Sequence, residues 1–230
     1  MNSGVDLDQE IGPELALRAY ALGVFPMATS ADADNLNWYF PDQRGIIPLD
    51  KFHLPRRLEK TVRQRRFKVR YDTAFEEVVD LCAEKTPTRH DTWINDKIKA
   101  LFAELHWLGH AHSVESWLNG TLVGGIYGLQ IGGVFFGESM FSRARDASKV
   151  ALVHLVAQLR WGGFAVFDTQ FTNKHLTQFG VTTIPGEAFQ DLLVTARDMD
   201  AVLRPDEDEE AVNAFLEEAR KRRSEAPRRP

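Results

Sequence analysis

The spacing of apolar and polar positions divides the chain into short helices and strands. Residues 13–22 predict a first helix, closed by a turn at Gly23-Val-Phe-Pro26. Asn37-Trp-Tyr-Phe-Pro41 and Gly45-Ile-Ile-Pro48 are short apolar pieces bounded by turn residues. Residues 56–66 read as a helix, and Phe67-Lys-Val-Arg-Tyr71 alternates as a strand does. Thr73 followed by Glu76 has the spacing of a capping box for a helix to Ala83. Another helix is expected over 96–108, stopped by Gly109. Residues 112–117 and 121–129 flank Asn119-Gly120 and predict a hairpin, and Gly132-Gly133 turns the chain into a third strand over 134–137. Leu152, Leu155, Val156 and Leu159 then recur at i, i+3, i+4 and i+7, predicting a helix over 147–160 that ends at Gly162-Gly163. A strand over 164–171, a short helix ending at Gly180 and a last strand into Ile184 complete the pattern.

A meander followed by a helical crossover and another strand makes a mixed sheet of the α+β or α/β class. A boundary near residue 44 separates a small N-terminal domain, 1–44, from a main domain, 45–204. Residues 205–218 hold seven acids and no base, and 219–230 end basic and proline-containing. That end, 205–230, reads as a charged tail, partly helical and then disordered, with no assigned chemistry. The length of 230 residues allows a real core, and 43% hydrophobic and 27% charged residues are ordinary for a soluble protein. No apolar run reaches the roughly 18 residues of a membrane span, and no charged-then-apolar leader opens the chain. A membrane partner is therefore not expected. The single cysteine, Cys82, has no internal partner and is expected to be core; with it goes a reducing, cytoplasmic setting.

Charge is unevenly placed. Residues 51–70 carry nine bases against Glu59 alone, a local +8 on a chain whose net charge is −5. A solvated helix face is the plain reading of such a run. The alternative is a phosphate-backbone footprint made by Arg56, Arg57, Lys60, Arg63, Arg65 and Arg66.

The candidate chemistry lies in the strands. Glu138 follows an apolar run, where an acid is costly unless something uses it. Asp168 and Gln170 interrupt another apolar run two residues apart, so a strand points both to one face. A buried network that only fixes strand geometry is one reading; an amine-handling acyl-transfer site is the other. Ser139 sits in Gly137-Glu-Ser-Met-Phe141, one glycine short of a nucleophile elbow, and the order Ser139, Asp168, His175 permits a serine hydrolase. An RNA-binding module without chemistry is the third reading. His106, His110 and His112 are spaced loosely like metal ligands, but the helix stop at Gly109 favours capping or core roles, and no metal is expected. The turn Ser142-Arg-Ala-Arg-Asp-Ala-Ser148 lacks the glycines that cradle a pyrophosphate, which argues against coenzyme A. No other cofactor is called for.

In order, Tyr20-Ala-Leu-Gly-Val-Phe-Pro26, Thr92-Trp-Ile94, Leu108-Gly-His-Ala-His-Ser-Val-Glu115, Leu122-Val-Gly-Gly-Ile-Tyr-Gly128, Phe136-Gly-Glu-Ser-Met-Phe-Ser-Arg143, Ala147-Ser-Lys149 and Asp168-Thr-Gln170 resemble the bacterial leucyl/phenylalanyl-tRNA–protein transferases. The resemblance spans roughly residues 10–195. It implies a small N-terminal domain joined to an acetyltransferase-like (GNAT-related) domain that uses aminoacyl-tRNA in place of coenzyme A. The implied reaction moves Leu, Phe or less often Met from Leu-tRNA, Phe-tRNA or Met-tRNA to proteins with N-terminal Arg or Lys, creating an N-end-rule degradation signal. The resemblance puts the reaction-centre acid on Asp168, its amide on Gln170 and Glu138 beside the aminoacyl-adenosine. It also implies Trp93 near the terminal adenine and Ile126 and Leu155 at the side-chain pocket, with Leu159 on the same helical stripe.

Overall fold

The computed structural model describes residues 11–87 and 89–225. The opening of the expected N-terminal domain and the last residues of the expected tail lie outside the described residues. Helix α1 (Pro13–Ala21) leads into β1 (Phe25–Ala28) and β2 (Leu36–Tyr39), which form a two-stranded antiparallel sheet. The remaining strands are β3 (Gln43–Ile47), β4 (Lys68–Tyr71), β5 (Ala111–Leu118), β6 (Thr121–Ile131), β7 (Val134–Ser142), β8 (Val166–Gln170) and β9 (Thr182–Pro185). They make one sheet in the order β4-β5-β6-β7-β8-β3-β9. Every neighbouring pair is antiparallel except β7 and β8, which the crossover helix α5 (Ala147–Trp161) joins in parallel. The mixed sheet and its crossover are as the pattern predicts. The strand that spans residue 44 belongs to the large sheet, between β8 and β9.

Helices cover both faces. One core joins α5 to α2 (Arg56–Arg63) and α8 (Asp208–Glu225). The other gathers α1, α3 (Phe75–Ala83), α4 (Asp96–Trp107) and α7 (Gly186–Ala196). The short α6 (Lys174–Thr177) joins the first core through Leu176. Eleven of the fifteen residues of α5 are buried, because the sheet covers one side and α2 and α8 the other. Such a helix is apolar nearly all round. The charged end, expected to be partly helical, holds a helix over 208–225 that is packed, with Ala211, Val212, Phe215 and Leu216 buried at i, i+1, i+4 and i+5.

The N-terminus of α3 departs from expectation. Thr73 and Glu76 form no capping box. Glu115, on β5 and wholly buried, accepts from the backbone N–H of Thr73 and Ala74 at 2.8 Å each and from the Thr73 hydroxyl. Ser113 Oγ and Trp117 Nε1 complete its shell at 3.0 Å. A buried carboxylate is tolerable when donors fill its lone pairs and it faces a helix N-terminus, and both conditions hold here. Glu115→Ala leaves several buried donors unpaired and should destabilise the fold by about 3 kcal/mol or more. Denaturant unfolding checks this; a loss under about 1 kcal/mol would mean that water replaces the carboxylate.

Candidate active site

Strands β7 and β8 pair only over Val134–Phe136 and Val166–Asp168; beyond that point β7 continues beside β6 alone. The two strands part where the expected site residues begin. Here β7 also bulges: Tyr127 faces Ser139 and Gly128 faces Gly137, which leaves Glu138 without a cross-strand partner. Gly128 allows this, since a Cβ there would lie 2.2 Å from the Phe136 carbonyl oxygen. The bulge re-aims Glu138 so that its Oε1 accepts from the Tyr20 hydroxyl at 2.9 Å.

Asp168 is wholly buried and gripped by Arg44 of β3. Arg44 Nε donates to Oδ1 at 2.7 Å and Nη2 to Oδ2 at 2.6 Å, a bidentate pair. The third guanidinium nitrogen donates to the Gly23 carbonyl at 2.8 Å, and the group sits 4.7 Å from the Phe25 ring and 4.4 Å from the Phe189 ring. Sequence reasoning missed Arg44. A lone arginine ahead of a short apolar piece looks solvated, and only the insertion of β3 beside β8 reveals its partner.

Gln170 ends β8 with φ +53, a left-handed conformation that costs a non-glycine residue on the order of 1–3 kcal/mol. Its backbone N–H donates to Asp168 Oδ1 at 3.0 Å, which holds the strained residue in place. Gly45 of β3 packs against the next peptide, where a Cβ would lie 2.7 Å from the Phe171 carbonyl carbon. The Gln170 amide has two orientations. In one, Nε2 lies 3.3 Å from Asp168 Oδ2 and 3.4 Å from Glu138 Oε1. In the other, Nε2 donates to the Gly137 carbonyl at 3.0 Å and the Thr169 carbonyl at 3.2 Å, and the amide oxygen turns toward the carboxyls.

The second satisfies the amide, whereas the first sets its oxygen against two carbonyl oxygens, and Glu138 adds to the difference. Burial pushes its carboxyl up to about 8, with Asp168 adding to the rise and Tyr20 and Arg44 opposing it. Near neutral pH Glu138 therefore carries a proton that it can donate to the amide oxygen, which favours the second orientation. Ionised Glu138 favours the first. Burial also pushes Asp168 up, but the Arg44 guanidinium pulls it back. The two short charge-assisted bonds keep that pair ionic, and a carboxylate held in this way is a poor proton acceptor.

The structure brings Glu138, Asp168 and Gln170 together, as expected. Ile126 lines a cleft of about 390 Å³ with Met140, Phe141, Leu176, Ser148 and His175, and none of the three polar residues lines it. Leu155 and Leu159 do not line it: both have no exposed surface, and their helical stripe is the core face of α5. Trp93 packs on the opposite core, its carbonyl accepting from Ala28 N–H at 3.2 Å. Arg56, Arg57, Lys60 and Arg63 lie on α2, with Arg65 and Arg66 just past its end. Arg65 is paired with Glu209 of α8 and Arg63 with Glu59. A hydrolase triad does not assemble, since among the described residues no hydrogen bond joins Ser139, His175 and Asp168, and Asp168 is committed to Arg44. Cys82 is buried, its thiol pushed up to about 12 by burial despite a hydrogen bond with Ser139. His106 stacks on Phe75 and bonds the Ala111 carbonyl, and His112 bonds Asp72 at 2.8 Å. Among the described residues no group of His, Cys, Asp and Glu is placed to hold a metal ion.

Residues 46–194 match the family model of leucyl/phenylalanyl-tRNA protein transferase, and residues 9–42 match that of its N-terminal domain. The chain belongs to this family. A leucyl/phenylalanyl-tRNA–protein transferase of Paramagnetospirillum magneticum is 59% identical over 183 residues, which cover 80% of this chain and 88% of the relative. One of Rhodopseudomonas palustris is 56% identical, covering 81% of each chain, and one of Afipia carboxidovorans is 51% identical, covering 84% and 85%. Among solved structures, a conserved protein of Staphylococcus epidermidis aligns over 79% of this chain and 68% of its own, at 10% identity and a TM-score of 0.40. That likeness is too distant to bear on function. Both family matches stop short of or flank Arg44, while Glu138, Asp168 and Gln170 lie inside the larger one.

Two outcomes follow from the geometry. Arg44→Met leaves Asp168 buried and unpaired, so stability at neutral pH should fall by about 3–5 kcal/mol. The deficit should shrink as falling pH protonates Asp168; a deficit independent of pH would assign the loss to packing. Glu138 has a folded pKa raised above its unfolded one, so its stabilising contribution is full below about pH 4.5 and lost as pH rises through about 8. Chemical denaturation across that window should show the wild type losing ground to Glu138→Gln, with a constant difference above it. A flat difference throughout would mean that Glu138 titrates normally.

Proposed function

We propose that the chain transfers leucine, phenylalanine and, less often, methionine from aminoacyl-tRNA to proteins whose N-terminal residue is arginine or lysine, marking them for N-end-rule degradation. The observation that carries this reading is the placement of Gln170. Its amide stands between the two buried carboxyls and the Gly137 and Thr169 carbonyls where β7 and β8 part, a group of acceptors that an amine N–H can meet.

The reaction is aminolysis of an ester. The acceptor α-amino nitrogen forms a bond to the aminoacyl carbonyl carbon, the bond from that carbon to the tRNA ribose oxygen breaks, and the amine proton ends on the departing oxygen. Products are a peptide bond and a free tRNA end, with no external oxidant, nucleotide or acyl-enzyme. The protein's part is to hold the amine and the ester in register, an effect worth several orders of magnitude in rate. Gln170 orients the amine, Asp168 with Arg44 orients Gln170, and Glu138 lies beside the aminoacyl end. Ile126, Met140 and Leu176 give the cleft an apolar lining suited to an unbranched-at-Cβ apolar side chain, while a charged one would lose its hydration there. Trp93 is assigned to the terminal adenine by family resemblance. The basic residues of α2 and its C-terminal end meet the tRNA backbone. This reading has no role for coenzyme A, in keeping with a turn before α5 that offers Asp146 rather than glycines at the helix start. Charged tRNA is a cytoplasmic substrate, so the enzyme works in the cytoplasm.

The test is to incubate the protein with radiolabelled Leu-tRNA and a peptide beginning with Arg. Label should appear in the peptide; free leucine alone would indicate hydrolysis, and neither would overturn the reading. Gln170→Ala should lower transfer by roughly 10²–10⁴, the range for a positioned proton-handling group. Gln170→Gly should lose transfer equally while matching or exceeding wild-type stability, since glycine relieves the strained φ. Near-wild-type turnover in both folded variants would remove Gln170 from the reaction.

A further inference from the structure

We propose that helix α8 completes the tRNA-backbone site, with Arg220 and Arg223 joining Arg56, Lys60 and Arg63 of α2 to hold a phosphodiester segment of the tRNA body. This rests on the transfer of an aminoacyl group from tRNA argued above, and adds a helix that lies beyond the family match, which ends at residue 194.

The observation is an excess of positive charge held in one place. Glu59, only 7% exposed, receives Arg63 Nε at 3.0 Å, a hydrogen bond from Arg223 and the Arg220 guanidinium at 3.7 Å. Three guanidiniums thus share one carboxylate. Arg56 and Lys60 line the same open cleft, of about 570 Å³, so five cations face one acid. The cluster is built into the fold: Arg223 also donates to the Leu54 carbonyl at 3.0 Å, and Arg222 to the Asp50 carbonyl. Like charges held together this way repel, and an anion between them relieves the repulsion.

The opposite end of α8 has the reverse effect. Glu209 pairs with Arg65, and Asp208 accepts from Tyr71 and bonds His154 at 2.8 Å. The helix therefore masks the C-terminal end of the basic segment and reinforces its start, moving the anion site toward Arg56 and Arg63. Charge complementarity selects the occupant. Of the two substrates, the acceptor protein begins with a cation and is repelled here, whereas tRNA brings a line of phosphates.

The experiment measures equilibrium binding of uncharged tRNA across a salt series, beside transfer from Leu-tRNA and from leucyl-adenosine. Each phosphate contact contributes about 0.7–0.9 to the slope of log affinity against log salt. Arg220→Gln, at an exposed position, should reduce the slope by about that amount and raise KM for Leu-tRNA with kcat unchanged, leaving leucyl-adenosine unaffected. Lys60→Gln, across the cleft, should lower the slope by the same step. Unchanged slopes in both variants overturn the proposal, as does an equal loss with leucyl-adenosine. Competition by inorganic pyrophosphate that leaves the tRNA slope unaltered would make the cleft a small-anion site and also overturns it. Wild-type protein that binds tRNA with the full slope yet transfers from neither substrate would sink the transfer reading instead.

Discussion

The buried pair of Arg44 and Asp168 is the constraint on which the site depends. Taking two charges out of water is costly, and a pair of this kind persists only with near-ideal geometry and with its remaining donors satisfied. Both conditions are met by two short bonds to Asp168, a third to the Gly23 carbonyl and two aromatic faces. The pair links parts of the molecule far apart in the chain: the turn after α1, strand β3, the crossover strand β8 and, through Phe189, helix α7. It also fixes the next residue that matters. Asp168 Oδ1 takes the Gln170 N–H and so keeps Gln170 in a left-handed conformation that the chain would otherwise relax. A carboxylate engaged in this way cannot move a proton readily, and that points the chemistry toward positioning rather than general base catalysis.

Glu138 is built by opposite means. The bulge opposite Gly128 leaves it out of the β6–β7 register, its hydroxyl donor comes from α1, and among the described residues no salt bridge reaches it. Burial then favours its neutral form, with a pKa pushed up to about 8. Two carboxyls joined through one amide thus have different charges near neutral pH. Their common neighbour, Gln170, can turn its oxygen or its nitrogen toward them according to whether Glu138 holds its proton. The amide proposed to meet an incoming amine is thereby sensitive to a single proton a few ångströms away.

Local pattern made most of the fold legible. The Asn119-Gly120 hairpin, the α5 stripe and the alternation of β4 were all readable, because each reports burial over a few consecutive residues. Asp168 and Gln170 were legible for the same reason: polar residues in an apolar run are conspicuous. What escaped depends on distant contacts. The cap of α3 comes from Glu115, some forty residues on, so the local Thr73–Glu76 spacing misled. Arg44 has no local sign of burial. The α8 stripe, Ala211, Val212, Phe215 and Leu216, is sparse among charges, so the segment reads as only partly helical until α5 is seen to need a cover. Leu155 and Leu159 show the converse error, since a regular apolar stripe says that a face is buried and not what it is buried against.

The charge distribution carries the synthesis one step further. The chain is acidic overall yet concentrates its cations on α2 and the end of α8, on the core side away from α1, α3, α4 and α7. With the acceptor proposed above, one substrate is polyanionic and the other cationic, which is a sorting problem, because each repels the charge that the other needs. On the proposed reading, segregating the charges answers it: a basic surface that draws in the tRNA body would repel an N-terminal arginine or lysine and leave the neutral and acidic remainder to the acceptor. At the parting of β7 and β8 neither field has to dominate. There Asp168 is already paired with Arg44 and burial favours the neutral form of Glu138, so the discrimination left to the site is one of shape and hydrogen bonding.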